Sequence, residues 1–124
     1  PESMKKAVRE YCRRTGQDVP ETAGQIGAVI YQSLAECYSQ TVEEIEEVTG
    51  QPYGWIYIIG GGANADYLNQ ITATATGRRV SAGPSEATAI GNLAVQMIAA
   101  DVFRDLPQAR ESIRKSFEIR IFEP

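Results

Sequence analysis

The sequence predicts an α/β fold in which parallel strands carry packed helices and the sheet is left incomplete. Three observations predict it. Apolar positions recur at steps of three and four residues on both sides of two short apolar runs, giving the order helix, strand, helix, strand, helix, helix after residue 20. Strand–helix–strand units almost always lay their strands parallel with a right-handed crossover. Only two or three strands are visible in 124 residues, too few to cover a near-continuous apolar strand such as Trp55–Ile59 on its faces and edges. Part of a domain is therefore expected, with further strands coming from sequence outside this chain or from a second copy of it.

The first element expected is a helix over Met4 to Arg14, with Ala7, Val8 and Tyr11 as its apolar side and Gly16 closing it. Its basic residues, Lys5, Lys6, Arg9, Arg13 and Arg14, read as the wet face of that helix. A turn at Gln17–Pro20 follows, and Pro20 with Glu21 makes a suitable first turn for a long helix. Its apolar stripe is Ile26, Ile30, Leu34, Cys37, Thr41, Ile45 and Val48, and Gly50 is its C-terminal cap. Cys37 on this stripe reads as a buried small hydrophobe. Glu43, Glu44, Glu46 and Glu47 flank the stripe and do not converge, so they read as a solvated face and not as a metal site.

The strand Trp55–Ile59, rich in β-branched and aromatic residues, suits coverage on both faces, and it runs straight into Gly60, Gly61 and Gly62. Three glycines remove every Cβ from the turn and let a ligand approach the backbone closely. A helix from Asp66 to Thr76 is expected next, burying Leu68, Ile71 and Ala75, ending at Gly77 and aiming its N-terminal N–H groups back at the turn. The second strand is Arg79–Ala82. Ser85 is placed to cap a third helix from Glu86 to about Ala100, whose seam of Ala87, Ile90, Gly91, Ala94, Met97 and Ile98 permits close packing. A last helix spans Pro107 to Lys115. In the tail, Phe117, Ile119 and Ile121 alternate with charged residues, as an edge strand or docking arm would.

Charge and composition exclude several functions. A net charge of −4 argues against nucleic acid and against an anionic membrane surface as partners, since both reward clustered Lys and Arg. The absence of histidine removes the commonest general base, the Ser–His and Cys–His pairs and most zinc sites. Two cysteines cannot make a secreted disulfide framework, and with no signal peptide, lipidation motif or long apolar run a cytoplasmic protein is expected.

The glycine turn points to an anion such as a nucleotide phosphate. Gly60, Gly62 and Ala65 satisfy the dinucleotide pattern G-x-G-x-x-A, but that pattern wants an acid at the end of the next strand, where Val80-Ser81-Ala82-Gly83 offers none. Arg78 and Arg79 start that strand, at the wrong edge for a 2′-phosphate. No Lys-Ser or Lys-Thr follows the glycines, so the turn is not a P-loop. A nucleotide held by backbone alone remains.

Taken together, Gly60-Gly61-Gly62-Ala63, Leu68-Asn69-Gln70, Gly77-Arg78-Arg79-Val80 and Gly83-Pro84-Ser85-Glu86-Ala87-Thr88-Ala89-Ile90-Gly91-Asn92 resemble the C-terminal domain of sugar kinases of the FGGY type. Leu68-Asn69-Gln70, Ala82-Gly83-Pro84, Glu86-Ala87 and Gly91-Asn92, with the helix around Ile30–Ala35 and the tail Phe122-Glu123-Pro124, are most similar to the rhamnulokinase branch of that family. The resemblance covers nearly the whole chain. It implies two actin-like, ribonuclease-H-like lobes with ATP between them, residues 1–124 being the last portion of the ATP-side lobe. It implies ATP contacts at Gly61 above all, with Gly60, Gly62, Ala63 and Asn64 beside it, and ATP with Mg2+ as cofactors. It implies that the catalytic base and the sugar site lie in the N-terminal lobe, so no catalytic residue and no metal ligand is assigned here. Asp66, Asp101 and Asp105 are not placed for either role. The parent enzyme would phosphorylate the 1-hydroxyl of L-rhamnulose. The other readings are a sugar or polyol kinase of the same family (xylulokinase- or fuculokinase-like) and a non-catalytic nucleotide-binding or assembly module. The isolated chain is expected to be inactive and to form a homodimer through Trp55–Ile59 or the Phe117–Phe122 arm.

Overall fold

A computed structural model describes residues 3–124. Helix α1 (Met4–Arg14) starts where the Ser3 hydroxyl accepts the Lys6 N–H, and α2 (Ala23–Thr49) is the longest element. The start of α2 lies past the expected Pro20–Glu21. Thr22 and Gln25 form a reciprocal capping box, the Thr22 hydroxyl accepting the Gln25 N–H at 3.2 Å and the Gln25 side chain accepting the Thr22 N–H at 2.9 Å. That pair satisfies two otherwise orphaned donors and outcompetes a proline start. Pro20 is instead buried, with its carbonyl taking a bond from the Arg9 guanidinium. At the other end Gly50 caps α2 in the left-handed region, as expected.

Ile26 of the expected stripe of α2 is buried, but further along the helix the face that packs is a different one. Helix α3 (Asp66–Thr76) lies on α2, with Ser39 bonded to the Ala75 carbonyl and the Tyr31 ring beside that of Tyr67. Tyr31, Ala35, Ser39 and Val42 are buried or half-buried, whereas Ile30, Leu34, Cys37, Ile45 and Val48, about 100° further round the helix, are exposed, Val48 at 87%. Cys37 is thus a surface residue, and Cys12 on α1 is the buried thiol. The reason is where α3 lies: it packs on the side of α2 that carries Tyr31 and Ser39, with Ala35 between them fully buried, so the larger apolar stripe faces away from it. Held between α2 and the sheet, α3 buries Asn69, Thr72, Ala73 and Thr76, while the expected Leu68, Ile71 and Ala75 are half-buried.

The sheet has the order β1-β2-β3. Strands β1 (Trp55–Ile58) and β2 (Arg79–Ala82) are parallel, with Trp55 opposite Arg79 and Ile58 opposite Ala82, as the strand–helix–strand reading requires. Strand β3 (Arg120–Phe122) adds antiparallel to the other side of β2, and places Arg120 opposite Ala82. The tail is therefore an edge strand. Helix α3 packs against β2 and β3. β1 is not buried on both faces: Trp55, Tyr57 and Ile59 are exposed, and with Arg110, Ile113 and Ile121 they line an open cavity of about 1040 Å³ that leaves this face unfilled. Helices α4 (Ala87–Ala99) and α5 (Leu106–Ser116) pair with each other around Ala94 and Ala109. Glu86, not Ser85, occupies the N-cap of α4, and no side chain caps it. Asp105 caps α5 by accepting the Gln108 N–H.

Candidate functional site

The site is built where β1 and β2 end. Ile59 is still extended, and Gly60 then turns into the left-handed region at φ 76°, which favours glycine. The Gly60 N–H donates to the Pro84 carbonyl at 3.2 Å and the Gly83 N–H donates to the Ile58 carbonyl at 2.9 Å. The two post-strand turns are therefore tied edge to edge. Gly83 has no alternative: at φ 121° a Cβ there would fall 2.7 Å from the Glu118 carbonyl oxygen.

From Gly60 to Asn64 the chain forms one 3-10 turn, and only then does α3 begin at Asp66. The helix bounds are those expected, and the 3-10 turn between the strand and the helix is the new feature. Ala65 at the N-cap contributes no side-chain cap, and Asp66 stands in the first turn of α3, ion-paired with Arg120. The positive end of α3 is thereby met by the chain's own carboxylate.

The five residues singled out in the turn fall into two groups. Gly61 is exposed, nothing lies within 4 Å of where its Cβ would stand, and its N–H meets no acceptor among the described residues. Gly62 is also exposed, with a would-be Cβ in ordinary contact with Ile58. Ala63 is buried, and its carbonyl accepts two bonds, from Asn69 Nδ2 at 3.0 Å and from Arg120 Nη2 at 2.6 Å. Asn64 is exposed, its Oδ1 at 3.5 Å from the same Arg120 nitrogen. Gly61, Gly62 and Asn64 are thus exposed, whereas half-buried Gly60, with its N–H taken by the Pro84 carbonyl, and buried Ala63 anchor the turn. Ala63, Asn64, Gly83, Ser85, Glu86 and Arg120 are among the residues around a cavity of about 250 Å³. That is below the roughly 300–1,000 Å³ of a complete small-molecule site.

Asn69 and Arg120 were missed as site residues. Asn69 had a signal in the sequence: with Thr72 and Thr76 it forms a polar stripe of helical period, and all three are buried. Arg120 had none, because its reach to the turn depends on the register of β3.

The acidic residues serve structure. Glu46 is not solvated like its neighbours: its carboxylate accepts the Tyr53 N–H at 2.7 Å and pairs with Arg78 at 2.5 Å. The Tyr53 N–H first, then the Arg78 guanidinium, hold its carboxyl below the usual glutamate range. Asp105 caps α5, and its carboxyl is lowered by the Gln108 N–H and then by Arg104. Among the described residues no group of three or more His, Cys, Asp or Glu is placed to hold a metal ion, and no helix is long and apolar enough to cross a membrane.

Comparison with known proteins adds the family. Over residues 1–100 the sequence matches the FGGY family of carbohydrate kinases, C-terminal domain. Among curated relatives, a rhamnulokinase of Bacillus subtilis (strain 168) is 48% identical over the whole of this chain and 26% of its own length. A rhamnulokinase of Oceanobacillus iheyensis is 44% identical over 96% of this chain and 25% of its own length. One of Bacteroides thetaiotaomicron is 44% identical over the whole chain and 26% of its own length. The chain spans about a quarter of the length of these relatives. The domain matched is part of an actin-like ATPase fold, which accounts for an α/β architecture whose three-stranded sheet is not closed. With 100 of 124 residues matched, the chain belongs to the FGGY family of carbohydrate kinases, through that family's C-terminal domain.

Proposed function

We propose that this chain is the C-terminal, ATP-side portion of a rhamnulokinase-like sugar kinase, and that Gly60, Gly61, Gly62, Ala63 and Asn64 form its nucleotide cradle. The observation that carries the reading is Gly61, an exposed residue just past the end of a strand, with open space where its Cβ would stand and no acceptor for its N–H among the described residues. The match to a carbohydrate-kinase family and the likeness to rhamnulokinases support the wider assignment. In the whole protein the γ-phosphate of ATP would pass to the 1-hydroxyl of L-rhamnulose, with Mg2+ neutralising phosphate charge. This chain's share is binding: Gly61 and Gly62 admit the phosphates and ribose to the backbone, and Ala63 fixes the turn from behind. The carboxylate that activates the sugar hydroxyl and the residues that select the sugar lie outside residues 1–124. The isolated chain therefore transfers no phosphate. A cytoplasmic location belongs to the same proposal, because ATP is the donor.

In the full-length kinase carrying this segment, Gly61→Asp places a carboxylate and a side chain in the cradle. It should raise the KM for ATP by about tenfold or more and leave the KM for the sugar within about twofold. An unchanged ATP KM sinks the assignment of the turn. Assays with L-rhamnulose, L-fuculose and D-xylulose as acceptors decide the sugar, and preference for either of the last two overturns the rhamnulokinase reading. No ATP-dependent phosphorylation of any sugar would leave a non-catalytic binding module.

A further inference from the structure

We propose that Arg120, on the last strand and outside the segment matched by the family, is a positioning residue for the nucleotide cradle; the inference rests on the reading of Gly60–Asn64 given above. Glycines have the widest backbone freedom of any residue, so a turn containing three of them holds one shape only if something outside it enforces that shape. The restraint falls on a single atom. The Ala63 carbonyl has two lone pairs and both are used, one by Asn69 Nδ2 at 3.0 Å from α3 and one by Arg120 Nη2 at 2.6 Å from β3. Two donors arriving from different elements fix the orientation of the peptide between Ala63 and Asn64, because the peptide is planar. Through the 3-10 turn that fixes the backbone of Gly61 and Gly62 two residues earlier.

Arg120 suits this task better than a lysine would. Its planar fork carries one nitrogen to the Ala63 carbonyl while the other pairs with Asp66 in the first turn of α3. The turn and the helix that follows it are thus held in one relative position by one side chain. The register of β3 makes this possible, since pairing Arg120 with Ala82 puts it at the end of β2, next to Gly83 and across from the glycine turn. A one-residue slip would send the side chain to the opposite face. A cradle held rigid before ATP arrives binds it without an ordering cost.

The test compares Arg120→Gln, Arg120→Lys and Gly61→Asp in the full-length kinase, with ATP and sugar KM, kcat and melting temperature read for each. Arg120→Gln should raise the ATP KM about fivefold or more, with the sugar KM and kcat within about twofold of wild type. Arg120→Lys keeps a charge and a donor but loses the fork, and should fall between the two. If Gly61→Asp raises the ATP KM and both Arg120 variants leave it at the wild-type value, the role of Arg120 is overturned and the cradle stands. If none of the three moves it, the cradle itself fails. Parallel losses in ATP and sugar KM with a lowered melting temperature mark Arg120 as structural only, which also overturns the proposal. Should Arg120→Gln not fold, Arg120→Lys decides: a raised ATP KM supports the role, a wild-type value ends it.

Discussion

Gly83 shows how a single position is fixed by a neighbour remote in sequence. A Cβ there would collide with the Glu118 carbonyl oxygen at 2.7 Å, and φ of 121° lies where side chains are strained in any case. Gly83→Ala should therefore destabilise the chain by about 2 kcal/mol or more, read as a lower denaturation midpoint in urea. A midpoint within error of wild type would mean that the β3 approach can give way. The sequence displayed Gly83 only as part of a motif, since the clash depends on where residue 118 arrives. The same distinction separates the residues of the cradle. Gly60, Gly61 and Gly62 were readable because chain order alone puts them at the end of an apolar strand. Arg120 acts on Ala63 from β3, so its role appears only with the tertiary register, whereas Asn69 bonds Ala63 from six residues on and was overlooked although its buried polar period was legible. Cys37 was misread for a related reason: helical period identifies a stripe, and period alone does not say which stripe meets a neighbour.

At the scale of elements, the ion pair between Glu46 and Arg78 joins the end of α2 to the residue preceding β2, and the Tyr53 N–H shares the carboxylate. The Glu46 carboxyl is held below its ordinary value, chiefly by the Tyr53 N–H and then by Arg78. A lowered folded-state pKa contributes stability that is complete above the unfolded value, about pH 4.3, and is lost as pH falls through the folded value. Glu46→Gln should therefore lower the melting temperature at neutral pH, with the gap to wild type closing below about pH 4. A gap that persists unchanged at pH 3 would assign the effect to something other than the charge. Boundaries of α1, α3 and β2 were readable because capping residues, glycine stops and apolar runs are local. The packed face of α2 was not, because Ala35 and Ser39 make the close contact and neither carries a hydrophobic signal as large as Ile30 or Leu34. Gly91 extends the point. It is exposed in α4, with nothing within 4 Å of a would-be Cβ, so Gly91→Ala in the isolated chain should raise stability by about 0.5–1 kcal/mol in urea denaturation. A loss instead would show that the small-residue seam is already packed in this chain.

For the whole molecule the unfinished sheet has a definite consequence at β1. The Ile58 and Gly54 carbonyls and the Gly60 N–H all bond toward the β2 side, so the even-numbered residues of this strand face β2. Trp55, Tyr57 and Ile59 turn their N–H and C=O groups the other way, to an edge with no strand beside it among the described residues, and their side chains are exposed as well. The tail, by contrast, is engaged, since β3 pairs with β2. Of the two self-association surfaces expected from sequence, β1 is therefore the one we expect to act. The isolated chain should sediment at twice the monomer mass at high micromolar concentration, through pairing of two β1 edges. Tyr57→Pro removes an outward N–H without taking any bond from β2, so it should shift the chain toward monomer while its far-UV circular dichroism stays that of wild type. A dimer that survives Tyr57→Pro moves the contact elsewhere, to the exposed face of α2 first, where Ile30, Leu34, Ile45 and Val48 offer a second apolar surface. A wild-type chain that stays monomeric would mean that an open three-stranded sheet of this size is content in water, with charged and polar neighbours along β1 enough to keep its edge apart.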